Sequence, residues 1–100
     1  MTKSFSVYAD SVHLKANSAM ELVEWQEILK ALVESIAQQI MNDGADLIGH
    51  IKGIAEFEPS TYIYFSKPDY DTQVQVVTEG NGRYTVAKLT INIICIGSKQ

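Results

Sequence analysis

Apolar residues recur at Leu22, Trp25, Leu29, Leu32, Val33, Ile36 and Ile40. Plotted at 100° per residue they fall in one broad stripe, the mark of an amphipathic helix. Glu24, Glu27, Glu34 and Gln38 fall on the opposite side. Ser18 and Glu21 spell an S-x-x-E capping box, and Gly44 is placed to close the helix in a left-handed turn. The spacing predicts a helix over residues 19–43, about 37 Å long at 1.5 Å per residue. Such a rod is only marginally stable alone, so its stripe needs a partner surface.

The rest of the chain alternates with the period of strands. Over residues 46–57, Leu47, Gly49, Ile51, Gly53, Ala55 and Phe57 share one face. Ile48, His50, Lys52, Ile54 and Glu56 share the other. The first face is apolar but low, because its glycines and Ala55 lack bulk, and a helix can lie close against it. Thr61, Ile63 and Phe65 then alternate with Tyr62, Tyr64 and Ser66, and Val74 and Val76 with Gln73 and Gln75. Finally Ala87, Leu89, Ile91, Ile93 and Cys95 alternate with Lys88, Thr90, Asn92, Ile94 and Ile96.

Parity joins these strands. Asn81-Gly82 is a strong two-residue hairpin signal, and a turn there sets Val76 opposite Ala87 and Val74 opposite Leu89. A four-residue turn at Pro68–Asp71 aligns Phe65 with Val74, and an odd-length loop at Pro59-Ser60-Thr61 aligns Phe57 with Ile63. Near the N-terminus Phe5 and Val7 have one parity, Val12 and Leu14 the other. This reads as one long strand with a bulge or bend at Asp10-Ser11, or as a short hairpin. The expected fold is α+β: a β-α-β-β-β-β meander of about five antiparallel strands with one long helix on one face. The place of the first strand in the sheet is left open. Residues 1–100 form one domain.

One helix covers one face. The other face carries Ile48, Ile54, Tyr62, Tyr64, Val77, Val86, Ile94 and Ile96 among its polar residues. That is rich in apolar groups for a surface facing water, and it predicts a homodimer or larger homo-oligomer packed through this face or its edges. Scattered apolar residues on a monomer are the plainer account.

Composition narrows the function. Hydrophobic residues make up 46% and charged residues 20%, an ordinary globular balance. The net charge of −4 supplies no basic excess for phosphates, so neither nucleic acid nor an anionic membrane is the expected partner. The single Cys forms no internal disulfide, and a reducing, cytoplasmic setting is the default. No apolar run is long enough for a membrane span, and no basic-then-apolar signal opens the chain.

Four residues stand out for chemistry. His50 and Lys52 share a strand face and are flanked by Gly49 and Gly53, where a ligand or a second backbone can approach closely. Tyr62 and Tyr64 fall on the same face of the next strand. Imidazole, ammonium and two phenols together suit a small anionic or planar ligand. The same residues also fit a face turned to solvent or to another subunit. His13, His50, Cys95 and the carboxylates lack metal-ligand spacing, and Cys95 falls on the core parity of its strand. Asp69 and Asp71 read as a solvated turn, and Trp25 as core. No nucleotide-binding or hydrolase motif occurs, so no cofactor is expected.

The stretch Ala45-Asp46-Leu47-Ile48-Gly49-His50-Ile51-Lys52-Gly53, echoed by Leu89-Thr90-Ile91-Asn92-Ile93-Ile94, resembles the small C-terminal domain attached to some CobW-like GTP-binding proteins. The resemblance covers residues 19–97. Those GTPases are associated with metal or cobalamin-cofactor delivery, so it implies an accessory role in cofactor handling. The GTPase domain and its phosphate loop do not occur in this chain, and only interest in His50 and Lys52 carries over. Three functions follow. The first is a non-enzymatic binding module that self-associates through its open sheet face. The second is a cofactor-trafficking accessory protein. The third is a small enzyme with a subunit-interface site around His50, in which Lys52 holds an anion and Tyr62 or Tyr64 orients the substrate.

Overall fold

A computed structural model of the chain describes the backbone of residues 2–42 and 47–99 and the side chains of residues 7–42 and 49–95. Six elements follow one another: β1 (Thr2–Glu21), α1 (Leu22–Asn42), β2 (Leu47–Glu58), β3 (Thr61–Lys67), β4 (Gln75–Glu79) and β5 (Arg83–Lys99). The strands form one antiparallel sheet in the order β1-β5-β2-β3-β4, with α1 across one face. The α+β class and the β-α-β-β-β-β element order are those the pattern predicts.

The helical stripe is the buried one. Leu22, Trp25, Leu29, Val33 and Ala37 lie against Ile51, Ala55, Ile63, Phe65, Val74, Ala87 and Leu89. Leu32, Ile36 and Ile40 pack at its margin. Gly53 does what a low position should: a Cβ there would stand 2.5 Å from Phe65 Cζ. Without it the Phe65 ring passes directly over β2. The Trp25 ring meets Phe57 edge-on at 5.3 Å, and its indole N–H donates to the Tyr84 carbonyl at 3.0 Å.

The helix starts later than its capping box predicts. Met20 and Glu21 pair with Tyr84 and Arg83, so β1 runs through the expected cap at Ser18. Glu24 then does what was expected of Glu21. Its carboxylate accepts the Glu21 backbone N–H at 3.2 Å, the reach-back half of a capping box moved three residues along. The predicted stop at Gly44 lies outside the described residues.

The larger departure is at Asn81-Gly82. β4 and β5 do not pair, and Val76 lies opposite Phe65 rather than Ala87. β2, β3 and β4 form the expected meander, and β5 returns to lie beside β2. The four strands thus take the spatial order of a Greek key. The link at residues 80–82 crosses the end of the β2–β3 hairpin. Gly80 and Gly82 have φ of 96° and 116°, values that L side chains resist. Beneath the link the Tyr84 hydroxyl donates to the Asn81 carbonyl at 2.6 Å and sits 3.4 Å from Thr61 Oγ1. Turn chemistry alone does not choose between a hairpin and this crossing. The long strand β5, apolar at six of the eight positions Leu89–Ile96, favours a place flanked on both sides, whereas β4, of five residues, suits an edge.

β1 takes the other edge, antiparallel to β5. Its register is continuous from Thr2 to Lys15, and the irregularity falls between Lys15 and Met20. The bulge expected at Asp10-Ser11 is therefore absent. The parity switch instead places apolar residues on both faces: Val12 and Leu14 pair with Leu89 and Ala87, and Val7 pairs with Ile94. A bulge does occur in β2, where Ile48 pairs with Cys95 and His50 with Ile94. The extra residue is Gly49, so the alternation read for Leu47 and Ile48 falls out of step with Ile51 onward. Their side chains, with those of Phe5 and Ile96, lie outside the described part. The β2–β3 loop is Pro59-Ser60 rather than three residues, and Ile63 pairs with Ala55 rather than Phe57, a bulge at Phe57 supplying the odd residue. The β3–β4 loop, residues 68–74, is longer than the predicted turn and sets Phe65 opposite Val76 without changing parity.

Candidate binding face

The register sorts the uncovered face into rungs running across the strands. The central rung is Ser11, Thr90, Ile54, Tyr64 and Val77. On one side lies the rung Ala9, Asn92, Lys52, Ser66 and Gln75, and on the other His13, Lys88, Glu56, Tyr62 and Glu79. Beyond Ala9 come Val7, Ile94 and His50. Tyr64 and Val77 are 51% and 60% exposed, and Val7 is 68% exposed. Ile54 and Ile94 are half-buried by their neighbours alone. The central rung, apolar across β2, β3 and β4, thus lies between a polar and a charged one, with a second apolar patch at Val7 and Ile94.

All four predicted site residues stand on this face, but they do not converge. His50 and Lys52 occupy successive rungs of β2, and Tyr64 and Tyr62 the two rungs after those on β3. His50 and Tyr62 are three rungs apart, about 20 Å at the rise of a strand. The neighbours are Lys52 with Tyr64 on the diagonal, and Tyr62 with Tyr64, whose rings meet edge-on at 5.3 Å and 82°. Lys52 and Tyr64 are exposed, and His50 and Tyr62 half-buried. The ion pairs among the described residues are Lys30–Glu27 and Lys67–Glu34. Among the described residues the ammonium of Lys52 therefore has no carboxylate within ion-pair distance.

Lys67 is a residue that pattern reading overlooked. Its side chain is 2% exposed beneath α1. Its ammonium lies 3.2 Å from a Glu34 carboxylate oxygen, donates to the Thr72 carbonyl at 2.5 Å and lies 5.9 Å from the centre of the Tyr70 ring. The signal was parity: Thr61, Ile63 and Phe65 extend to Lys67 on the core face. Glu34, expected on a solvated helix face, turns its carboxylate to this cation. The group ties the helix to the β3–β4 loop, where the Tyr70 hydroxyl also donates to Gln38 Oε1 at 2.8 Å.

The other candidates are local. Asp69 accepts the Thr72 backbone N–H at 2.8 Å, and hydrogen bonds from the Thr72 side chain and backbone hold its carboxyl below the ordinary aspartate value. Burial pushes the Cys95 thiol up. Among the described residues no three His, Cys, Asp or Glu side chains gather, and no helix is long and apolar enough to cross a membrane. A shallow groove opens beside the start of α1, lined by Glu21–Val23, Thr78 and Gly80–Arg83, and it shares no residue with the four predicted ones. No protein-family model, no curated protein and no solved structure matches the chain.

Proposed function

We propose that this protein is a small binding module that works as a homo-oligomer, with the open sheet face as its interface. The observation that carries this reading is the central rung. Ile54, Tyr64 and Val77 lie side by side across three strands, and two of them are more than half exposed. A patch of that kind, rimmed by polar rungs, is the usual mark of a surface that meets another protein. Tyr64 supplies apolar area with few rotors to freeze, as residues at the centre of interfaces do. His50, two rungs from the centre, then lies toward the border of the contact, where a bound anion or planar molecule would touch both subunits. Sedimentation equilibrium at micromolar concentration tests the reading. The expected mass is twice 11.1 kDa or a higher multiple, and a mass of 11.1 kDa overturns it.

A further inference from the structure

Resting on that self-association, we infer that two copies pack face to face about a two-fold axis that runs along the central rung, with Lys52 of each copy against Glu56 of the other. Symmetry and charge lead to this arrangement. An axis across the strands leaves every strand opposite its own copy and exchanges the rungs on either side. Ile54, Tyr64 and Val77 then meet themselves, apolar on apolar. The polar rung of one copy covers the charged rung of its partner. On β2 this sets Lys52 over Glu56, because the two flank Ile54 at equal distance. Within one strand they are about 14 Å apart, too far to pair with each other. Packed sheets lie about 10 Å apart, a gap that one lysine and one glutamate side chain together span. Lys88 then faces Asn92, and Glu79 faces Gln75, so no like charges oppose.

The other two-fold arrangement fails on the same residues. β2 is the central strand of five, so an axis along the strands sets Lys52 on Lys52 and Glu56 on Glu56. Like charges juxtaposed in an interface cost several kcal/mol. The charge pair thus specifies which way round the faces meet, while the apolar rung supplies the adhesion. Lys88 stands beside Glu56 in the same chain and leaves it further than 4.0 Å from any ion-pair partner among the described residues.

The test is a charge swap read by sedimentation equilibrium. Lys52→Glu and Glu56→Lys should each raise the dimer dissociation constant at least about a hundredfold, since each places two like-charge contacts in the interface. The double variant K52E/E56K should return to within about tenfold of the unaltered protein, because the contacts are restored in reverse. Both side chains are exposed, and circular dichroism confirms that each variant folds. A dimer that neither single change weakens overturns this arrangement and leaves self-association standing. So does a double variant as weak as its parents. An unaltered protein that is monomeric overturns both.

Discussion

On β3, Ile63 and Phe65 are buried under α1, while their immediate neighbours Tyr62 and Tyr64 lie on the open face. The same contrast runs down β2, with Ile51 and Ala55 buried and Lys52 exposed between them. Residue type does not divide the faces cleanly, since Ile54 and Val77 are as apolar as anything under the helix. What differs is the covering layer. Under α1 each large side chain gains about 1.5–3 kcal/mol from burial. On the open face that free energy is unspent in one chain and is available to a partner.

Trp25 sits at the heart of the covered face, and its loss should mark the contrast most sharply. Trp25→Ala removes the contact with Phe57 and the donor to the Tyr84 carbonyl, and should cost about 3–5 kcal/mol in urea unfolding. Lys67 is the polar exception on the same face. Lys67→Met keeps the stem but leaves the Thr72 carbonyl without its donor, for an expected loss of about 1–3 kcal/mol. Glu34→Gln should cost less, under about 1 kcal/mol, because that carboxylate is half exposed. If the two changes cost the same, the ion pair rather than the carbonyl contact holds the lysine.

Val77 carries the comparison to the open face. Val77→Thr keeps its shape and should change unfolding at fixed low concentration by less than about 0.5 kcal/mol. It should still weaken self-association, and a large effect on the fold of the single chain would mean that this face is structural. The smallest effect is expected at Asp69, outside both faces. Its carboxyl titrates below the ordinary value because Thr72 hydrogen-bonds the charged form. A lowered acid adds stability that is fully present above its unfolded pKa of about 3.8 and is lost as pH falls through the folded value. Asp69→Asn should therefore lower the melting temperature slightly at pH 7, and by less and less as the pH falls below about 3.8.

The phase of the helix and the core faces of β2 and β3 were legible because local periodicity follows burial. The stripe from Leu22 to Ile40 and the alternation from Ile51 to Phe65 need no distant information. The cap lies beyond its local signal because Met20 and Glu21 are claimed by pairing with Tyr84 and Arg83, far along the chain. The partner of β5 is hidden from local pattern for a related reason. Asn81-Gly82 is good turn chemistry in either topology, and the choice rests on which strand profits most from two neighbours. Among the candidate residues, sharing a face was legible. Their separation along it was less so, because face is set by parity but distance by register. Lys67 shows the converse, since its parity was plain and its partners lie on the helix and in a loop.

The crossing at Gly80–Gly82 also separates local strand pairs from distant ones, and so carries an expectation about assembly. The β2–β3–β4 meander joins neighbours in sequence, so its loops close at little entropic cost. β5 must then be carried past the finished hairpin before it meets β2. Pairing with β1 comes at a still greater separation, since Thr2 lies opposite Lys99. Contacts of that sequence range slow folding, so β1 is expected to dock late, with late hydrogen-exchange protection of its amides as the check. Until β1 arrives, the most apolar strand of the sheet has a bare edge, and that interval is when a second chain competes for it most effectively.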